Sequence, residues 1–491
     1  MQNMRHSLKY LSLSLLLISQ ISFAASTPII LEIKDKTINV DGKSKVVYTI
    51  EQPDGTWGYY GTKGQDFNVI VKNETDVPTG IHWHGLILPN AMDGVPGVTQ
   101  AAILPGGEYH YEYPLVQAGT YWMHSHMGLQ IQDLMEAPFI ISDPNDPYNK
   151  DQQVVIMFQD FTFKNPETVF KDLQSGTAMA GMNNMSGDMQ NMNAMSQDHS
   201  SMQNMNMSSS SMNMDDSKPD LNDVQYDAFL TNYQTLQNPE IVKVQASKTV
   251  RLRFIDGSAG SNYWINLGGL TGEAIAFDGE NIKPLSGKTF QLALGQRIDI
   301  LVTIPKSGGA FPILGQVEGL TQQTGLILVT PGATVPKISE TAQNAVPALN
   351  YQQELKMKSE NPLPSKPIQQ VVTLNLSGNM QKYIWMINGQ AWPNVTPIQL
   401  KEGERVEFIF NNESNMAHPM HLHGHFFELV GINQKSITDG ALHDTILVLP
   451  HTQVKVIFDA DYSGKWMLHC HMAYHQEAGM MTIVEINPVT Q

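Results

Sequence analysis

Apolar and polar residues alternate in short runs along most of this chain, and turn-forming residues separate the runs. Ile29 to Ile33, Phe67 to Val71, Tyr109 to Tyr113, Val154 to Phe158, Val250 to Ile255, Ile298 to Ile304, Val371 to Leu376, Arg405 to Phe410 and Gln453 to Phe458 are rich in β-branched and aromatic residues. Each predicts a strand. No long stretch carries the apolar period of an amphipathic helix, and 38 Gly and 27 Pro supply frequent turns. The pattern therefore predicts an all-β protein built of sandwiches.

The first residues depart from this pattern. Arg5 and Lys9 precede a largely apolar run from Tyr10 to Ile18, and Ser22-Phe23-Ala24 forms a small-x-small site. These features predict a signal peptide over 1–24, export by the general secretory route and a periplasmic product loaded with any metal outside the cytoplasm. The run is too short to span a bilayer, and no later run is long enough, so membrane insertion is not expected. What remains of the 491 residues is too long for one core and suits three domains of about 150 residues. The expected boundaries are 25–150, 151–335 with an insertion at 175–219, a linker at 336–367 within the Pro, Ala, Ser and Lys-rich stretch from Pro331 to Pro367, and 368–491.

Charge narrows the choice of partners. With 30 basic against 47 acidic residues, the formal charge of -17 argues against nucleic acid, and a monomer is expected. A single Cys excludes an internal disulfide framework, so the core or a bound group must hold the fold. Eleven of the 27 Met lie between Met179 and Met214, in a segment of Met, Asn, Ser, Gln, Gly and Asp that lacks the residues of a core. Uncharged thioether sulfur suits Cu(I), and Met-x-x-Met spacing lets neighbouring sulfurs share one ion, with His199 as an added donor. Oxidant scavenging is the alternative use of such Met.

Ten of the 16 His fall into four clusters: His82 and His84; His124 and His126; His418, His421 and His423; and His469, His471 and His475. Alternate residues of a strand share a face, so each His-x-His directs two imidazoles together. Eight imidazoles in such pairs exceed what one first-row ion takes, and they imply several metals. Cys470 lies between His469 and His471, so its sulfur points away from them toward a second site. His418, His475 and Met480 are the unassigned donors nearest to it in kind, and a thiolate, two imidazoles and a thioether form the ligand set of a blue-copper site. His110, His425, His443 and His451 read as ordinary structural residues.

The clusters HWHG, HSH, HPMHLHGH and HCHMAYHQEAGM resemble, in order and spacing, the four copper signatures of the multicopper oxidases, and the copper-resistance branch most. The resemblance covers essentially the whole mature chain and implies three cupredoxin-like Greek-key β-sandwich domains with four copper ions. By that resemblance His418, Cys470, His475 and Met480 hold a type 1 copper, and His82 and His421 a type 2 copper. His84, His124, His126, His423, His469 and His471 hold a type 3 pair. It also implies a proton-delivering carboxylate at Asp93 and an outer carboxylate near the type 1 site at Asp444. Where several bacterial relatives have Glu as a proton donor directly after the second type 1 His, this chain has Gln476, and the resemblance leaves that role either to Glu477, the next residue, or to Asp93 alone.

Four one-electron oxidations coupled to the reduction of dioxygen to two waters follow from the resemblance. Cu(I) oxidation in copper detoxification is the favoured use, with the Met segment gathering the ion. Oxidation of phenols or other small reducing organic molecules, as in laccases, is the alternative within enzymes. A non-enzymatic copper-storage protein would explain the Met segment but not the Cys470 constellation.

Overall fold

The computed structural model describes residues 27–176 and 221–489. The expected signal peptide and nearly all of the Met-rich insertion lie outside the described residues.

Three β-sandwiches follow one another along the chain. In the first, a sheet of Lys43–Glu51, Ile29–Val40, Asp66–Asn73 and Glu108–Pro114 faces one of Tyr59–Thr62, Glu136–Ser142, Gly119–Ser125 and Ile81–His84. The second pairs a six-stranded sheet with a five-stranded one between Gln152 and Val329. The third pairs a seven-stranded sheet with a five-stranded one between Gln370 and Asn487. All nine runs predicted from alternation fall on these strands, with Ile304 alone one residue past the end of Arg297–Thr303, and one pairing recurs. Ile29–Val40 runs parallel to Asp66–Asn73, Gln152–Phe161 to Thr249–Asp256, and Gln370–Asn379 to Arg405–Asn412. This is the cupredoxin-like arrangement that the resemblance implied.

Burial separates two kinds of strand. Asp66–Asn73 buries Phe67, Val69 and Val71 on one face, as a sheet with one wetter side should. Ile81–His84, Gly119–Ser125 and His418–Leu422 are buried on both faces. One continuous apolar cluster contains Trp83 and Trp122 from the first sandwich together with Leu422 and Leu468 from the third. The doubly buried strands contribute residues to that cluster, and they carry His82, His84, His124, His418 and His421.

The Pro, Ala, Ser and Lys-rich stretch buries Leu349 and Met357 and bridges Ser359 to Ile282 of the second sandwich, so it is packed down rather than a free tether. The helix Pro166–Gln174 starts on Asn165, whose side chain accepts from the amides of Glu167 and Thr168. Among the described residues no helix is long and apolar enough to cross a membrane.

Candidate metal centre

Strand pairing sets the imidazoles in place. Ile81–His84 pairs antiparallel with Gly119–Ser125, so His82 lies opposite His124. In the third sandwich His421 lies opposite His469. The two strand pairs bring eight imidazoles to one region. One group is His84, His124 and His471, another is His126, His423 and His469, and a third is His82, His84 and His421, so that the pairs at 124/126, 421/423 and 469/471 divide between groups and His84 is shared by two. Donors come from the first and third sandwiches in every group.

The nitrogens converge closely. His82 Nε2 lies 3.3 Å from His421 Nε2, and His84 Nδ1 and His124 Nε2 lie 3.2 and 3.3 Å from His471 Nε2. His126 and His423 place their Nε2 atoms 3.3 and 3.1 Å from His469 Nε2. Nitrogens bound at about 2.0 Å to one tetrahedral ion sit about 3.3 Å apart, so these spacings fit a shared cation. One N–H···N bond cannot satisfy three converging nitrogens. Burial first, and then the neighbouring imidazoles, holds His84, His126, His421, His423 and His471 well below the ordinary histidine range, and the neutral ring is the one that ligates.

Outer contacts fix which nitrogen is offered. His82, His124, His421 and His469 donate from Nδ1 to the carbonyls of Asp93, Ser125, Asp444 and Cys470, and His423 donates to Asp93 Oδ2 at 2.9 Å. Each therefore turns Nε2 inward. His84 is reversed. Its Nε2 meets Asp444 Oδ1 at 3.0 Å and Thr445 Oγ1 at 3.1 Å, so it offers Nδ1. Arg297, fully buried, clamps both oxygens of Asp444 and donates to the Thr120 carbonyl at 3.1 Å.

Asp93 is fully buried beside the cluster, with Oδ1 3.2 Å from His82 Nδ1 but making no hydrogen bond. Two acids lie elsewhere than expected. Asp444 is 0 % exposed and faces His84 and Arg297, so it is not an outer carboxylate of the Cys470 site that a dissolved ion could reach. Glu477 is exposed, on the short helix Ala473–Glu477, and faces the Glu167 charge of the Pro166–Gln174 helix rather than the imidazoles.

Cys470 is fully buried, with Sγ 3.7 Å from both His418 Nδ1 and His475 Nδ1, which are 3.2 Å from each other. A thiolate and an imidazole bound at about 2.3 and 2.0 Å to one trigonal ion lie about 3.7 Å apart, so this set also fits. Without a cation, burial pushes the thiol up, and a bound metal reverses that preference. Met480 is buried here; its amide donates to the His475 carbonyl, and its carbonyl accepts from Cys470.

The surroundings of His475 and His418 were not marked by any motif. Asp223, 7 % exposed, accepts from His475 Nε2 at 2.9 Å and from the Tyr383 hydroxyl at 2.5 Å, while its Oδ1 is unpartnered. Trp385 packs against the His475 ring, tilted by 31° with centroids 4.0 Å apart. Ser414 Oγ bonds His418 Nε2 at 2.8 Å. The only sequence signal for Asp223 is its place just after the Met-rich segment.

Models of one family, described as multicopper oxidase, match residues 32–146, 152–332 and 365–489. The multicopper oxidase MmcO of Mycobacterium tuberculosis is 29% identical over 86% of this chain and 79% of its own. Copper resistance protein A of Escherichia coli is 26% identical over 93% of this chain and 92% of its own. The solved structure of Fet3p, a multicopper oxidase that functions in iron import, superposes with a TM-score of 0.75 at 20% identity, covering 94% of this chain and 90% of that one.

Proposed function

The chain belongs to the multicopper oxidases, and from that premise we propose that it is an exported cuprous oxidase that couples oxidation of Cu(I) to reduction of dioxygen. In this reading His418, Cys470, His475 and Met480 hold a type 1 copper, His82 and His421 a type 2 copper, and the two imidazole triads a type 3 pair. Copper bound there would supply one-electron oxidation at the Cys470 site and four-electron reduction of dioxygen to two waters at the eight-imidazole site. Cys470 is bonded directly to His469 and His471, so three consecutive residues join the two sites. Asp93 Oδ1, free of a hydrogen bond beside His82, is the atom that would hold a proton for the oxygen-reducing site. The expected leader supports a periplasmic location, and a monomer is the simplest state.

Asp223 carries the substrate reading. A buried carboxylate oxygen without a partner is unfavourable unless something binds it, and Oδ1 is in that state beside the outer nitrogen of His475. Among the described residues the cleft here is bounded by Tyr226, Tyr383, Met472 and Tyr474. An anionic oxygen and a lining Met are donors of the kind Cu(I) takes, and in the sequence Asp223 follows the Met-rich segment by a few residues. The test is oxygen uptake with Cu(I) and, separately, with a phenol. Asp223→Asn should raise KM for Cu(I) about tenfold or more and change phenol turnover little. Efficient phenol oxidation with no Cu(I)-dependent uptake would overturn the assignment.

A further inference from the structure

Trp83 stands in the chain between His82 and His84, is fully buried, and leaves its indole Nε1 without a hydrogen-bond partner. The Tyr111 ring lies 4.9 Å from the Trp83 ring between centroids, and Tyr109 lies 4.7 Å from Tyr111. Tyr109 is half-buried at the end of this line, between the exposed residues Glu108 and His110. Two other rings contact Trp83, Phe67 at 4.9 Å and Phe139 at 5.9 Å. Phenylalanine does not give up an electron readily. Beyond Phe67 lies Tyr113, buried with an unpartnered hydroxyl and so without a proton acceptor. Among the described residues, of the ring contacts of Trp83 the tyrosine line alone joins oxidisable rings from the imidazole-bearing strand to a half-buried position.

We propose that Trp83, Tyr111 and Tyr109 form an escape route that carries an oxidising equivalent from the oxygen-reducing imidazole cluster to the surface when reducing substrate runs short. This rests on the oxidase reading above. Dioxygen needs four electrons, and a shortfall leaves an oxidising centre among the ligands that hold it. Trp83 gives one electron inward, and Tyr111 restores Trp83 while its phenolic proton shifts along the hydrogen bond to Gln100 Oε1; Tyr109 then restores the electron of Tyr111 and that proton returns. Tyr109 then releases its phenolic proton to water and ends as a neutral phenoxyl. A small one-electron reductant of the ascorbate or thiol class returns the electron, and water returns the proton. The ligands His82 and His84 are thereby spared.

The rings also pack the first sandwich, so the test must keep packing and remove only the redox step. Tyr111→Phe does so, deleting a hydroxyl and its bond to Gln100. Copper-loaded protein is reduced without oxygen by fewer than four electron equivalents per chain and then exposed to oxygen with catalase present. Oxygen consumption, tyrosyl radical by freeze-quench paramagnetic resonance, and sites of oxidation by peptide mass spectrometry are recorded. The native chain should show a tyrosyl signal and oxidation at Tyr109. In Tyr111→Phe the Tyr109 mark should fall several-fold, with oxidation moving to Trp83 or the cluster His. Tyr109→Phe provides a second arm, in which the radical should remain on Tyr111 and last longer. Oxygen consumption with Tyr109 unmarked, or marked equally in Tyr111→Phe, would overturn this inference alone. Absence of oxygen consumption would sink the oxidase reading and this inference together.

Discussion

His443 shows how far a single residue can depart from its local sequence. Nothing in Ala441-Leu442-His443 distinguishes it from a core histidine, because its partners Asp278 and Glu354 are distant in the chain. Both carboxylates lie 3.2 Å from its ring nitrogens, and all three groups are largely buried. Burial alone would lower its pKa, but Glu354 and Asp278 outweigh burial and raise it to about 10. The folded state therefore keeps a proton that the unfolded chain releases near 6.5. The stabilisation is complete below that pH and is lost as pH rises through about 10. His443→Leu leaves two buried acids facing an apolar side chain and should cost about 3 to 5 kcal/mol near pH 6. Urea unfolding from pH 6 to 10 should show the advantage of the native chain shrinking steadily. A constant gap across that range would mean that the charge on His443 contributes nothing.

Strands and their turns divide into what the sequence displays and what it conceals. Alternation exposed strands such as Asp66–Asn73, whose two faces meet different surroundings, and the His-x-His spacing exposed the ligand-bearing strands despite burial on both faces. How His84, His124, His126, His423, His469 and His471 fall into two triads stayed hidden, because it depends on how the first and third sandwiches meet. The helix holding His475 is too short to show a period, and Asp223 reaches it from far along the chain. The turn after Ile81–His84 is a further hidden constraint. Gly85 has φ +84°, and a Cβ there would overlap Arg297 Nη2 and press on Asp444 Oδ2, the pair that orients His84. Gly42 has the same φ with nothing within 4 Å, so it isolates backbone strain from displacement. Gly85→Ala should weaken copper binding at the cluster about 10 to 100-fold, whereas Gly42→Ala should lose only some stability. Competition titrations with a copper chelator on both variants measure this, and equal losses would refute a special role for the Gly85 turn.

Across the whole molecule, the candidate centre joins two sandwiches far apart in the sequence. His82, His84, His124 and His126 come from one, and His421, His423, His469 and His471 from the other. Ions shared by such donors act as cross-links that exist only in the folded state, so binding should stabilise the seam more than any strand interior. Removing copper should therefore speed amide exchange in Ile81–His84, Gly119–Ser125, His418–Leu422 and Gly464–Cys470 while leaving the second sandwich nearly unchanged. The same geometry sets the pH at which copper leaves. Exposed imidazoles take up protons near 6.5 and release metal there, but burial holds His469 to about 4 and the triad rings lower than usual as well. Proton competition thus begins only as pH falls toward about 4. Copper content after dialysis between pH 7 and 4 should stay flat through 6 and 5 and then drop, with the seam loosening in the same step. Loss centred near 6.5 would show that the imidazoles titrate as if exposed, and the buried centre would have to be given up.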